Sequence, residues 1–235
     1  MTRVVIALDV PRLADAQALV QRLGPSADFY KVGLELFAAD GPRAVAWLRG
    51  QGKDVFVDLK AHDIPNTVRG VARSVAALGA SLLTVHAIGG AAMLAAAVEG
   101  AGAQDGSGCG ILAVTVLTSF DASGYAAATG RASVDIGQEV ARLAGQAAAA
   151  GAHGIVCSGE EAAQVRASHG TALRSLVPGV RLAGGATHDQ QRVVTPAGAR
   201  AAGASYIVLG RAVTAAADPV AALAAVHADL ASAAS

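Results

Sequence analysis

Short runs of β-branched and apolar residues alternate with longer stretches rich in Ala and Leu along the whole chain. Short apolar runs of this kind are typical of buried strands, and the longer stretches are typical of helices. The predicted strands are VVIALDV (4–10), FYKVGL (29–34), VFVDLK (55–60), LLTVHA (82–87), ILAVTVL (111–117), GIVCS (154–158), SLVPGV (175–180) and YIVLG (206–210). The predicted helices span 13–23, 44–51, 66–78, 91–100, 137–150 and a final stretch from 213 to 234.

This regular alternation of strands and helices indicates a parallel sheet, because parallel neighbours need a crossover between them. Eight such units in 235 residues favour closure into a (β/α)8 TIM barrel, which typically takes roughly 250 residues. An open doubly wound sheet is the alternative. Its glycine-rich dinucleotide fingerprint is missing, because Leu8-Asp9-Val10-Pro11 follows the first strand. We therefore predict a single α/β barrel domain over residues 1–235.

Composition and charge favour a local, small-molecule site. The 18 basic and 18 acidic residues cancel, so no chain-wide field attracts nucleic acid or an anionic membrane surface. Aromatic residues make up only 3% of the chain, which argues against stacking platforms for single-stranded nucleic acid. No apolar run approaches the roughly 20 residues of a membrane span. The first residues enter a strand pattern instead of a signal peptide, so we expect a cytoplasmic protein, with Cys109 and Cys157 as buried thiols.

The phase of the strands directs several charged residues to one place. Side chains alternate between the two faces of a strand, so Asp58 and Lys60 share one face of 55–60 while the other face is wholly apolar. Asp9 and Lys31 occupy the corresponding face at the ends of the first two strands. If the apolar faces pack on the outer helices, these four side chains point into the barrel near its carboxyl end, where barrel enzymes react.

Burying isolated charges costs several kcal/mol each, so an inward cluster requires opposite signs. Lys31, Asp58, Lys60 and Asp63 supply two charges of each sign. A purely structural salt-bridge network is the competing interpretation. Helix capping by Asp63, Asn66 or Thr67, with a proline near the first turn, is an alternative role for these residues.

A second group of residues lies after the last two predicted strands. Pro178-Gly179-Val180-Arg181 closes the seventh strand, and Gly210-Arg211 closes the eighth. Barrels commonly bind phosphate at these two positions, where exposed backbone and an arginine fork suit a dianion. We therefore predict a barrel of the phosphate-binding type. The long connections 119–135 and 183–190 are predicted to be functional loops, although the first could be a simple insertion.

The ten residues Asp58-Leu59-Lys60-Ala61-His62-Asp63-Ile64-Pro65-Asn66-Thr67 resemble the signature of the orotidine 5'-monophosphate decarboxylase family. Further segments resemble other landmarks of that family in the same order: Ala7-Leu8-Asp9, Lys31-Val32-Gly33, Thr84-Val85-His86-Ala87, Leu117-Thr118-Ser119, Pro178-Gly179-Val180-Arg181, Asp189-Gln190 and Gly210-Arg211. Together they span nearly the whole chain.

The resemblance implies decarboxylation of orotidine 5'-monophosphate to uridine 5'-monophosphate, the last step of pyrimidine nucleotide synthesis, with no cofactor and no metal. It implies that Lys60 is the general acid and that Asp58 lies against the substrate carboxylate. Lys31 and Asp63 would complete the charged array.

The resemblance also implies a homodimer with shared active sites and a nucleotide as its small-molecule partner. Asp63, Ile64 and Thr67 would reach in from the partner subunit. The implied substrate contacts are Asp9 and Thr67 to the ribose hydroxyls, Thr118 to the pyrimidine edge, and Gln190, Gly210 and Arg211 to the phosphate, supported by Arg181.

Other functions remain open at this point. A sister decarboxylase of the same superfamily acts on a keto-sugar phosphate with magnesium and shares the Asp-x-Lys-x-x-Asp spacing. The resemblance implies an acidic metal ligand there in place of Lys31, and an ammonium would repel magnesium. A barrel without activity that only binds nucleotides or a partner protein is a second alternative. A metal site built from Asp58, His62 and His86 is less favoured than hydrogen-bonding roles for these residues.

Overall fold

The computed structural model describes residues 2–102, 108–182 and 194–232. Eight parallel strands close into a barrel in the chain order β1 to β8, which confirms the predicted TIM-barrel fold. The strands are β1 (Arg3–Leu8), β2 (Phe29–Gly33), β3 (Asp54–Ala61), β4 (Leu82–His86), β5 (Gly110–Val114), β6 (Gly154–Val156), β7 (Arg174–Val177) and β8 (Tyr206–Leu209).

Helices cover the outside of the barrel. In the described part of the chain they are α1 (Leu13–Leu23), α2 (Leu34–Gly50), α3 (Pro65–Ala77), α4 (Gly90–Gly100), α5 (Ala122–Ala128), α6 (Ile136–Ala149), α7 (Gly159–His169), α8 (Pro196–Ala201), α9 (Arg211–Thr214) and α10 (Pro219–Ser232). Short 3-10 turns lie at Gly24–Ser26 and Ala87–Gly89.

The helix predictions differ from the structure in several places, and α7 and α8 had no predicted counterpart. The helix predicted over 44–51 begins ten residues earlier, at Leu34, and its backbone departs from helical geometry at Asp40, two residues before Pro42. The final stretch predicted from 213 to 234 is two helices, α9 and α10, and Asp218 accepts hydrogen bonds from the first-turn amides of α10. The connection 119–135 contains the helix α5, which begins after Asp121.

Polar residues in the connections that follow the strands start several helices, because a side-chain oxygen satisfies an amide that has no partner inside the helix. Asp121 accepts from the amide of Gly124 at 2.7 Å, and Asp135 accepts from that of Gln138 at 2.9 Å. Ser158 and Glu161 form a capping box at the start of α7. These caps fix the first residues of α5, α6 and α7.

Two separate cores confirm the predicted phase of the strands. Ile6, Val32 and Val57 belong to the large core between the strands and the helices. The side chains on the other strand faces fill the barrel interior and form a smaller core: Val5, Ala7, Phe29, Phe56, Leu82, Leu112, Leu176, Tyr206 and Val208. Because this inner core lies below the carboxyl ends of the strands, the next inward position on each strand faces the barrel mouth.

The amino end of the barrel is closed by polar and aromatic side chains. The Tyr206 ring packs edge-on against Phe29 with 6.2 Å between centroids. Arg174 lies 3.0 Å from the Tyr206 hydroxyl, and His153 Nε2 lies 3.0 Å from the same oxygen. Burial, followed by the charge of Arg174, lowers the pKa of His153 to about 4. The opening of the barrel is therefore at its carboxyl end.

None of the helices within 2–102, 108–182 and 194–232 combines the length and the apolar character needed to cross a bilayer.

Candidate active site

A cavity of about 520 Å³ opens at the carboxyl end of the barrel. Charged side chains from β1, β2 and β3 lie along one part of its wall, and residues that follow β5, β7 and β8 form another part. The lining includes Asp9, Lys31, Asp58, Lys60, Thr118, Arg181, Gly210 and Arg211, all of which are predicted site residues. The four side chains that strand phase placed inside the barrel, Asp9, Lys31, Asp58 and Lys60, therefore lie together at its carboxyl end.

Short ionic contacts connect Asp9, Lys31, Asp58 and Lys60, which are called the charged array from here on. Within this chain Asp9, and not the predicted Asp63, is the second carboxylate of the array. Asp58 Oδ1 lies 2.8 Å from Lys60 Nζ, and Asp58 Oδ2 lies 3.5 Å from Lys31 Nζ. The Lys31 ammonium also donates to Asp9 Oδ1 at 2.8 Å. The signs alternate along this chain of contacts, as the cost of burying charge requires.

The two central members of the array are nearly buried, with side-chain exposures of 10% for Lys31 and 12% for Asp58. Burial alone would raise the pKa of Asp58. The charges of Lys31 and Lys60, together with hydrogen bonds from Lys60 and Thr84, outweigh burial and lower that pKa below its ordinary value. Asp58 is therefore ionised at neutral pH, and it faces two ammonium groups in a site of limited water access.

Lys60 itself has an unusual backbone. Its φ of +50° is in the left-handed region, and the pairing of β3 with β4 shifts register between Val57 and Ala61. A left-handed conformation is disfavoured for a residue with a Cβ atom. The bulge lies where Lys60 enters the cavity, which is a common position for such irregularities in barrels.

Thr84 is part of this environment although it was not among the predicted site residues. It lies on the inward phase of β4, is completely buried, and donates from Oγ1 to Asp58 Oδ1 at 2.8 Å. The sequence signal for it was a single hydroxyl at an inward position of the otherwise apolar run LLTV. That pattern did not predict the hydrogen bond to Asp58, which lies 26 residues earlier in the chain.

Arginines and small residues form the far part of the cavity. Gly179, with a φ of +70°, turns the chain after β7, and the next residues carry Arg181 into the lining. Arg181 Nη1 donates to the carbonyl of Val180 at 2.8 Å. A Cβ atom added at Gly210 would meet no other atom within 4 Å, so the backbone at this position is open to the cavity. Arg211 follows directly and is largely exposed.

The predicted residues Asp63, Ile64 and Thr67 are not in the cavity lining of this chain. All three are exposed on the segment that follows β3, and Asp63 Oδ1 accepts from the amide of Ile64 at 2.6 Å. Gln190 lies outside the described residues, as does the rest of the predicted loop 183–190.

His62 and His86 lie beside each other near the array, with 5.7 Å between their ring centroids. Burial, then the neighbouring His62 and Lys60, lower the pKa of His86, against the opposing charge of Asp58. In the part of the chain that the structure describes, no group of three or more His, Cys, Asp or Glu residues is arranged to hold a metal ion.

The closed parallel barrel and the position of its ionic cluster define the class of protein: a (β/α)8-barrel enzyme with its site at the carboxyl ends of the strands. The model of the "Orotidine 5'-phosphate decarboxylase / HUMPS family" matches residues 2–226. The chain belongs to this family, as its sequence resemblance indicated.

Individual relatives agree with the family match. The chain is 54% identical over 228 residues to the orotidine 5'-phosphate decarboxylase of Anaeromyxobacter dehalogenans, covering 97% of this chain and 98% of the relative. It is 49% identical to the protein of that name from Halorhodospira halophila, covering 98% and 97%. The crystal structure of orotidine 5'-phosphate decarboxylase from Lactobacillus acidophilus superposes with a TM-score of 0.86 at 35% identity, covering 98% of this chain and 99% of that one. The protein is therefore an enzyme of the carboxy-lyase class.

Proposed function

We propose that this protein removes the carboxylate of orotidine 5'-monophosphate, releases uridine 5'-monophosphate and carbon dioxide, and uses no cofactor. The observation that carries the proposal is the charged array, which shares one cavity with Arg181 and Arg211. An anionic nucleotide that spans this cavity has its phosphate near the arginines and its pyrimidine near Lys60. The names of the relatives support the same substrate.

Loss of carbon dioxide leaves a carbanion on the ring carbon that carried the carboxylate, and the ring delocalises this charge poorly. The Lys60 ammonium lies where it can stabilise the developing negative charge and then transfer its proton to that carbon. Its contact with Asp58 at 2.8 Å holds the ammonium in place before the substrate arrives. Lys60 is thus the proposed general acid.

Asp58 has a second proposed effect. Its carboxylate is nearly buried and ionised, so a substrate carboxylate placed beside it is repelled until carbon dioxide leaves. Lys31 limits the repulsion because its ammonium lies between Asp9 and Asp58. The binding energy of the remote phosphate offsets the remaining cost.

The phosphate and ribose contacts follow from the same orientation of the substrate. Arg181 and Arg211 supply forked, permanently charged donors suited to a dianion, and the open backbone at Gly210 lets the phosphate approach closely. Gln190 is proposed to join them. Asp9 is proposed to accept from a ribose hydroxyl, and the buried Thr118 to contact the pyrimidine edge.

The magnesium-dependent reaction on a keto-sugar phosphate fits these residues poorly. Lys31 Nζ lies 2.8 Å from Asp9 Oδ1 and 3.5 Å from Asp58 Oδ2. An ammonium in that position repels a divalent cation brought to the same two carboxylates. Full decarboxylase activity in excess chelator supports our proposal, whereas a strict magnesium requirement contradicts it.

We also propose that two copies of the chain share their active sites. Leu34, Ile64 and Ile88 are 58%, 67% and 48% exposed, and they follow the neighbouring strands β2, β3 and β4 at the mouth of the barrel. Large apolar side chains exposed together in this way are typical of a protein interface. Docking of a second copy on this surface would cover Ile64 and would bring Asp63 and Thr67 of each chain near the other chain's cavity.

The direct test follows the loss of orotate-ring absorbance with purified enzyme. Lys60→Ala is expected to lower kcat by at least about a thousandfold, because it removes both the stabilising charge and the proton donor. Binding of uridine 5'-monophosphate should persist, since the arginines remain. Lys53→Ala is the matched control, because the Lys53 ammonium donates to the carbonyls of Gly24 and Ala27 at the other end of the barrel. Wild-type turnover in Lys60→Ala would contradict the assignment.

A further inference from the structure

Thr84 connects the two functional groups of β3. Its hydroxyl donates to Asp58 Oδ1 at 2.8 Å and accepts from the backbone amide of Lys60 at 2.9 Å. The side chain is completely buried, so no water competes for either bond. Because one bond uses the hydroxyl proton and the other uses an oxygen lone pair, the hydroxyl has a single orientation that satisfies both.

The bond to the Lys60 amide compensates for the bulge in β3. The regular ladder between β3 and β4 pairs Val57 with Leu83 and resumes only at Ala61 and Val85. At Lys60, which has a φ of +50°, the amide bonds to a side chain of β4 instead of a ladder carbonyl. A left-handed residue persists only when its surroundings hold it there, and Thr84 supplies a direct contact that does so.

The bond to Asp58 fixes the carboxylate. Oδ1 accepts from both Thr84 and Lys60 Nζ at 2.8 Å, while Oδ2 lies 3.5 Å from Lys31. Without the hydroxyl, the partners left to the carboxylate among the described residues would be two flexible lysine side chains. Rotation towards Lys31 would then separate Asp58 from Lys60.

We propose that Thr84 is a positioning residue for the decarboxylation: it holds the carboxylate of Asp58 and the left-handed backbone of Lys60 in the one arrangement that aims both groups into the cavity. This inference rests on the proposed function and adds to it a residue that touches no substrate, since Thr84 is absent from the cavity lining. The effect of losing it should therefore fall on turnover and leave ground-state binding of the nucleotide nearly unchanged.

Two substitutions separate the hydroxyl from the volume of the side chain. Thr84→Val keeps the shape and removes both hydrogen bonds, and we expect kcat to fall about 10- to 100-fold, with KM and the affinity for uridine 5'-monophosphate within about threefold of wild type. Thr84→Ser restores the hydroxyl and should keep kcat within about threefold of wild type.

Thr115→Val is the matched control. Thr115 is also buried, follows the neighbouring strand β5, and donates to the carbonyl of Val156 at 2.7 Å without contacting the array. The Thr115→Val variant should be less stable than the wild type, with little change in kcat. If Thr84→Val and Thr115→Val both lower the melting temperature and both keep wild-type kcat, Thr84 is only structural and the proposal is overturned. Equal loss of kcat in Thr84→Val and Thr84→Ser also overturns it, because the hydroxyl would then be irrelevant.

A measurement without substrate keeps this inference distinct from the proposed function. Carboxyl carbon NMR of the wild type and of Thr84→Val reports the titration of Asp58, and loss of the hydrogen bond should raise its pKa. If the pKa of Asp58 is the same in Thr84→Val and in the wild type, the proposed role of Thr84 is overturned, whichever substrate the enzyme uses. If the wild type fails to consume orotidine 5'-monophosphate while the titration shifts as expected, the proposed function fails and the positioning of Asp58 by Thr84 stands.

Discussion

Gly33, at the end of β2, allows two members of the charged array to meet. A Cβ atom at this position would lie 2.7 Å from Asp9 Oδ1 and 2.8 Å from Lys31 Nζ, closer than atoms of this kind approach without displacement. Both groups are part of the ionic contact between Asp9 and Lys31 at 2.8 Å. The backbone of Gly33 is extended, with a φ of −87° that any residue can adopt. The lack of a side chain at this position is therefore required by the neighbouring Asp9 and Lys31 and not by the backbone conformation.

Gly33→Ala should accordingly displace Asp9 or Lys31 and lower kcat/KM by about tenfold or more, because misplacing a catalytic group by a fraction of an ångström is costly. The measurement is steady-state decarboxylation, with circular dichroism to verify folding. Gly145→Ala is the matched control: it lies within α6, and an added Cβ there meets nothing within 4 Å. Wild-type activity in Gly33→Ala would show that the array tolerates the extra atom.

At the scale of elements, α5 is held to α6 by one buried carboxylate. Glu139, with a side-chain exposure of 5%, contacts Arg131 at 3.0 Å and Arg142 at 2.7 Å. The Tyr125 hydroxyl of α5 donates to the same carboxylate at 3.3 Å. The segment they anchor begins just after Thr118 and Ser119, which line the cavity. The connection 119–135 is therefore a packed part of the barrel mouth.

This cluster predicts a pH dependence of stability. Hydrogen bonds from Arg142, partly opposed by burial, and then bonds from Arg131 lower the pKa of Glu139 from 4.5 to about 2. A carboxylate with a lowered folded-state pKa stabilises the fold fully above the unfolded value, and the contribution is lost as pH falls from 4.5 towards 2. Glu139→Gln should lower the free energy of unfolding at pH 7 by about 2 kcal/mol, because it weakens hydrogen bonds to a charged group.

Urea unfolding at several pH values measures this effect. The difference between wild type and Glu139→Gln should narrow as pH falls below 4.5, and the exposed Glu160→Gln should show no comparable difference at any pH. A difference that stays constant down to pH 2 would mean that the ionised form of Glu139 contributes nothing specific.

At the scale of the whole molecule, one chain contains most of the proposed site but leaves Asp63 and Thr67 exposed on its surface. The described chain already forms a barrel closed between β8 and β1, and the proposed dimer would supply the contacts of Asp63 and Thr67 from a second copy. The assignment of residues 1–235 to one domain, the cytoplasmic location and the homodimer stay predictions.

Shared sites predict complementation between two inactive variants. Lys60→Ala and Asp63→Asn, each of which we expect to be inactive alone, are co-expressed with different tags, and the heterodimer is isolated. It should regain about half of wild-type activity per dimer, because one of its two sites combines an intact Lys60 with the partner's intact Asp63. Differently tagged copies of Lys60→Ala serve as the control. An inactive heterodimer would mean that each chain uses its own Asp63 or that no dimer forms.

The sequence by itself determined the order of eight strands, the bounds of α1 and the inward phase of Asp58, Lys60 and Lys31. These follow from local periodicity, since a strand repeats every two residues and an amphipathic helix every 3.6. Local pattern was insufficient for α2, where Gly41 and Pro42 interrupt the helical signal although packing on β2 and β3 continues the helix.

Only the tertiary structure decided how the inward residues contact one another. Barrel closure brings Thr84 to Asp58 and Lys60, and it makes Gly33 necessary for the contact between Asp9 and Lys31. The left-handed backbone of Lys60 could not be predicted, because the sequence around it has the pattern of a regular strand. Contacts between residues 20 or more positions apart depend on register and twist across the whole sheet. The sequence therefore indicated the charged side chains that line the cavity, while the fold set the distances between them and the shift in the pKa of Asp58.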